Sequence, residues 1–155
     1  MKRLMSVLFI AAVFASCSSD DDNKQAEDSI VGAWTLVELN AANPIDFNND
    51  GTADPNIMIE IPCFEGNVAF TADGNFLMTL SKVEGEEVNG QMVFSCNGSI
   101  VSAGTYVLQG DQLTTITSGP DPETSTTTIF LNGDNLKTTM SAGELGNVEF
   151  VLKRN

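Results

Sequence analysis

The chain has 155 residues, enough for one domain with a sizeable core, and 21 acidic against seven basic residues give it a net charge of −14. That balance disfavours nucleic acid and anionic lipid as partners, because both repel it. Histidine is absent altogether, which excludes Ser-His-Asp and Cys-His catalysis and imidazole-bound zinc.

Residues 1–16 differ in kind from the rest. Lys2 and Arg3 precede an apolar run from Leu4 to Phe14, and Ala15-Ser16-Cys17 follow it. A basic start, a short apolar core and small residues before a cut site make an export signal, too short to serve as a membrane span. The tetrapeptide Phe14-Ala15-Ser16-Cys17 resembles the lipobox of bacterial lipoproteins, although Phe14 replaces the usual leucine. The resemblance implies that Cys17 is acylated, palmitate being the expected chain, and becomes the mature N-terminus. An ordinary signal peptide with an incidental cysteine is the alternative.

Residues 17–29 continue as SSDDDNKQAEDS after the cysteine, without an apolar anchor, and read as an acidic flexible tether. The stretch also resembles the acidic export signal of surface lipoproteins in some Gram-negative bacteria. It implies an outer-membrane protein, anchored at the periplasmic face or the cell surface. Cleavage after residue 16 removes two basic and no acidic residues, leaving 5 − 21 = −16. Attachment to the membrane then rests on acyl chains and not on charge.

From Ile30 onward the pattern changes to period two. The first predicted strand is 32–39, and the connection after it, Asn40 to Pro62, is too long for a plain hairpin. Inside that connection, DFNNDGTAD (Asp46 to Asp54) has the spacing of a calcium loop. Calcium takes about six to eight hard oxygen ligands, which a short loop delivers by alternating acidic and amide side chains around a tight glycine turn. Asp46, Asn48, Asp50, Gly51, the Thr52 carbonyl and Asp54 fall in the order such a loop requires. The closing bidentate glutamate is missing, Ile57 standing in its place, and Glu60 is the nearest carboxylate able to reach back. Pro44 and Pro55 argue against helices on either side. The expectation is a weakly held, structural calcium ion that pins the insertion; an Asx-rich turn without an ion is the alternative.

Further strands are predicted at 66–71, 75–83, 90–96, 99–108, 112–118, 125–132, 135–141 and 147–153. Val68 with Phe70, Phe76 with Met78 and Leu80, and Ile129 with Leu131 mark their apolar faces. Turn signals separate them at Asp73-Gly74, Gly85, Asn97-Gly98, Gly110-Asp111, Asn132-Gly133-Asp134 and Gly146-Asn147. No stretch has a helical spacing. Short connections imply sequential antiparallel hairpins, and a sheet this large removes its edges by closing. The expected fold over 30–155 is all-β, an up-and-down barrel of about eight strands, with a two-sheet β-sandwich as the alternative.

Gly32-x-Trp34 on the first strand of a meandering barrel is similar to the lipocalin signature. That family packs the tryptophan at one end of the barrel beneath a basic residue from the last strand. In NVEFVLKRN, parity places Val148, Phe150, Leu152 and Arg154 on one face, which makes Arg154 the candidate to lie across Trp34. A plain core tryptophan fits the same fold. Lipobox, acidic tether, Gly32-x-Trp34 and the Asp-rich insertion together resemble bacterial lipocalin-like lipoproteins. A second lipocalin motif and a C-terminal helix are missing, and Gly104-Thr105-Tyr106 is at most an echo of the former.

With Cys17 acylated, Cys63 and Cys96 remain, and an exported pair points to a disulfide. Asn97-Gly98-Ser99 matches an N-glycosylation sequon, and Asp28-Ser29-Ile30 resembles an O-glycosylation sequon of bacterial exported proteins, with Ser29 as acceptor. No nucleophile motif or phosphate-cradling loop appears, so an enzyme is not expected. The expected function is a non-catalytic, monomeric binder of a small ligand. The alternative is a surface accessory protein with a filled barrel that contacts another protein or a glycan.

Overall fold

The computed structural model describes residues 29–155. The signal peptide 1–16, the acylation site Cys17 and the tether as far as residue 28 lie outside the described residues. Eight strands close a barrel in which each is antiparallel to its neighbour in sequence and the last returns to the first. They are β1 Gly32–Ala41, β2 Gly66–Phe70, β3 Asn75–Val88, β4 Gln91–Gln109, β5 Gln112–Thr117, β6 Thr124–Asn132, β7 Asn135–Ser141 and β8 Asn147–Arg154. The architecture is the closed, lipocalin-like barrel and not the sandwich. Closure leaves no edge along the β1–β8 seam, where pairing runs from Trp34↔Arg154 to Ala41↔Val148.

Three expectations about the elements are corrected. The segments 90–96 and 99–108 are one strand, β4, because Asn97-Gly98 forms a bulge instead of a turn. Ser81 pairs with Ser99 and Val83 with Cys96, so Lys82 alone faces both Asn97 and Gly98, and Gly98 takes the positive φ (89°) that such a bulge favours. Gly85 likewise lies inside β3, opposite Phe94. The true turn is Asn89-Gly90, with φ 55° and 83°, the both-positive geometry of a tight hairpin whose twist suits the strands. Finally, a single helical turn, α1 (Ile57–Glu60), starts just after Pro55. Proline restrains the residue before it and not those after it. Asn56 then caps the turn, its side chain accepting from the Met58 N–H at 3.1 Å.

A bulge in β1, between Leu36 and Glu38, keeps the inward set continuous while shifting its parity. Trp34 and Leu36 point inward before it, Leu39 and Ala41 after it, and all four are buried. The interior contains two apolar clusters. The larger fills the barrel around Trp34, Leu36, Phe70, Phe76 and Ile129. The smaller lies where α1 meets β1 and β8, around Leu39, Ala41, Ile57 and Val148.

These clusters define two unlike ends. The floor carries the turns β2–β3, β4–β5 and β6–β7 together with Ser29–Val31. The mouth carries the insertion 42–65, the loops β5–β6 and β7–β8, and the outer half of the β3–β4 hairpin, which runs past the barrel as an arm.

Candidate functional site

At the floor, the ring of Trp34 is fully buried and Arg154 covers it, the guanidinium carbon 4.2 Å from the ring centroid. The indole N–H donates to the Ile30 carbonyl at 2.8 Å. Arg154 donates through Nη1 to Val31 O (2.8 Å) and through Nη2 to Ser29 O (2.7 Å), and its Nε lies 3.4 Å from the Asp134 carboxylate. Gly32 is required here twice over. Its φ is +138°, and a Cβ would stand 2.9 Å from Arg154 Nη1. Ser29 therefore sits against the floor, its Oγ accepting from the Val31 N–H at 3.2 Å.

At the mouth, the insertion is built as a series of side-chain-to-backbone bonds. Asp46 accepts from the N–H groups of Asp50 (3.1 Å) and Gly51 (2.9 Å), Asn48 from Asp50 (2.9 Å), and Asp50 from Thr52 (2.8 Å). Gly51 takes φ 94° at the turn. Asp46, Asn48 and Asp50 thus share one turn, with Thr52 beside them. Asp54 accepts from the Asn56 N–H at 2.8 Å.

Glu60 does reach back, but to backbone. It is 1 % exposed, and its carboxylate accepts from Asp54 N (2.7 Å), Phe47 N (3.1 Å) and Asn48 N (3.4 Å). A buried carboxylate with three amide donors is an internal anchor for both ends of the loop. Among the described residues, no three Asp, Glu or Cys side chains converge as a metal site. The chemistry of Asp46, Asn48, Asp50 and the Thr52 carbonyl suits calcium, whereas Glu60 is committed to holding the loop.

Sequence reasoning did not find the arm. Its strand β4 is joined to the insertion by the Cys63–Cys96 disulfide, with Cα atoms 5.7 Å apart, and by Met92 N–H donating to Asn48 O at 3.1 Å. Insertion, α1 and arm are therefore one tied unit. The missed signal was Asn89-Gly90, which read as a turn would have extended the hairpin.

Inward side chains near the mouth are more open to water than the buried set around Trp34. Ile100 pairs with Leu80, and Met140 with buried Val148, so both face inward, yet they are 57 % and 46 % exposed. Thr127 and Thr138, whose hydroxyls bond each other at 2.7 Å, are inward and only partly buried. Phe64 and Met58 pack against both apolar clusters. These inward yet exposed side chains mark a candidate cup, with Ile100 on its β3–β4 side and the Thr127 and Thr138 hydroxyls on its β6–β7 side.

No protein-family description matches the chain, and neither does any curated protein or solved structure. What the molecule is rests on its own geometry: a closed eight-stranded up-and-down barrel of lipocalin-like architecture, plugged at one end and stapled at the other.

Proposed function

We propose that this is a lipid-anchored envelope protein whose barrel binds a small, uncharged, partly apolar ligand in the cup, without catalysis. The observation that supports this reading most is the exposure of Ile100 and Met140 at inward positions. Apolar side chains facing into a barrel yet open to water form the usual lining of a ligand pocket. The acidic insertion at the same end disfavours anions such as free fatty acids. Anchoring through Cys17, at either face of the outer membrane, follows from the lipobox-like Phe14-Ala15-Ser16-Cys17 and belongs to this proposal.

Calcium is part of the same reading. Asp46, Asn48, Asp50, Asp54 and the Thr52 carbonyl would hold the ion, and Glu60 keeps their backbone in place. Its role would be to stiffen the insertion that borders the cup, with affinity at the weak end known for extracellular modules, about 10⁻⁴–10⁻³ M.

Two titrations of the purified protein test the reading. The neutral dye N-phenyl-1-naphthylamine should brighten on binding, and Thr127→Phe, which fills the cup, should abolish the signal. A dye that does not bind, or that binds equally to Thr127→Phe, would favour the surface-accessory alternative instead. Calorimetry with calcium should give heat and a raised Tm, both lost in Asp46→Ala combined with Asp50→Ala. Absence of heat leaves an Asx-rich turn.

A further inference from the structure

The wall formed by β6, β7 and β8 carries a second concavity, onto which outward-facing side chains converge. Across β6, β7 and β8 a groove of about 660 Å³ is lined by residues 126–130 and 137–139 with Glu149, and Asp111 of the β4–β5 turn borders it. Register fixes which way these side chains point. Phe130 pairs with Lys137 and Thr139 with Glu149, on the face opposite to that of core residues Ile129 and Val148. A smaller hollow of about 250 Å³ continues the groove past Asp111 and Phe130 towards Leu108 and Leu131.

The chemistry of this groove narrows what it can take. Phe130 is 62 % exposed, and it stands beside groups of mixed character. Lys137 Nζ lies 3.4 Å from the Glu149 carboxylate, so the two charges offset each other. Gln112 Nε2 donates to Thr128 Oγ1 at 2.8 Å, which brings an amide to the same strip. The wall thus offers an aromatic face, hydroxyls, an ammonium and two carboxylates, with no excess of positive charge. An anionic ligand would meet Asp111 and Glu149 in a chain of net charge −14. A purely apolar ligand would leave those groups unpaired. The concavity does not suit the flat patch of a typical protein–protein contact, and its volume falls in the range of roughly 300–1,000 Å³ of small-ligand sites.

We infer that this groove is a binding site for a short neutral oligosaccharide. One sugar ring lays its C–H face on Phe130, and its hydroxyls bond Lys137, Glu149 and the threonines, which can each donate and accept. The inference stands whether or not the cup takes a ligand and whether or not the insertion holds calcium.

The test is an amide-resolved NMR titration of the protein with a panel of neutral di- and trisaccharides. The panel should cover glucose, galactose, mannose and N-acetylglucosamine in both anomeric linkages, with sulfated counterparts alongside. The expected result is saturable shifts confined to Asp111, Thr126–Phe130, Lys137–Thr139 and Glu149 for at least one neutral sugar. Affinity should fall about tenfold or more in Phe130→Ala and in Lys137→Ala. Both groove positions are at the surface, so Tm should hold and separate lost binding from lost fold. No neutral sugar shifting these amides, tighter binding of the sulfated forms, or affinity retained in Phe130→Ala would each overturn it.

Discussion

Arg154 ends the last strand directly across from Trp34 on the first, and it uses its whole guanidinium there. The carbon lies 4.2 Å from the indole centroid while Nη1 and Nη2 hold the carbonyls of Val31 and Ser29. One side chain thus seals the floor, joins the first strand to the last and fixes where the N-terminal segment meets the barrel.

Arg154→Ala should lower stability by about 2–3 kcal/mol, since a cation–π contact contributes about 0.5–2 kcal/mol and two charge-assisted bonds to carbonyls are lost with it. Arg154→Lys should recover less than half, because an ammonium cannot cover the ring and fork to two carbonyls together. Gly32→Ala should cost a similar amount through its positive φ and the Arg154 contact. Urea unfolding followed by fluorescence reads this directly, Trp34 being the only tryptophan.

Glu60→Gln should destabilise the mouth by about 2–4 kcal/mol. The amide can accept on one side only, and its NH₂ would face N–H groups of the loop with no acceptor between them. The loss should appear as faster hydrogen exchange at Phe47, Asn48 and Asp54, the three residues whose amides the carboxylate now holds. Unchanged exchange at these amides would refute the anchoring role.

Much of the barrel was legible because half-buried strands leave a period-two trace, as in Phe76, Met78 and Leu80, and because parity, applied to the lipocalin-like signature, selected Arg154 over Lys153 to cover Trp34. Asn-Gly pairs were ambiguous. Asn97-Gly98 and Asn89-Gly90 both suit positive φ, but only tertiary pairing decides that the first is a bulge and the second a turn. The four residues of α1 are too few to show a period. Glu60 was noticed as a carboxylate, yet its partners are backbone amides, which have no signature in sequence. Nor does sequence distinguish inward residues that are packed, such as Ile129, from inward residues that are open, such as Ile100.

Reduction of Cys63–Cys96, or Cys96→Ser combined with Cys63→Ser, should remove about 3–4 kcal/mol in the chain-entropy model, for a loop spanning 33 positions. The barrel should survive at room temperature, because the disulfide joins the insertion to the arm and crosses no pairing within the floor. Its effect should be local first. Limited proteolysis should cut within 83–96 and 42–62 in the double variant, before the remaining strands are attacked.

The β2–β3 turn and Tyr106 predict opposite pH limbs. The Tyr106 hydroxyl donates to Thr71 O at 2.9 Å, and burial, then the charge of Asp73, raise its pKa above the usual value. A raised tyrosine stabilises the fold fully below the unfolded pKa and ceases to do so as pH rises through the folded one. Asp73 is shifted the other way, held down first by the Thr71 hydroxyl and also by its own backbone and Asn75. Its contribution is present above the ordinary carboxylate pKa and fades as pH falls through the lowered one. Stability measured in urea against pH should therefore decline above about pH 10 in the native protein, and more gently in Tyr106→Phe. Asp73→Asn should flatten the acid limb and leave the alkaline limb shallower than native, since the charge facing Tyr106 is gone. Tyr106 is the only tyrosine, so tyrosinate absorbance follows this one group, and a midpoint at or below that of free tyrosine would refute the assignment.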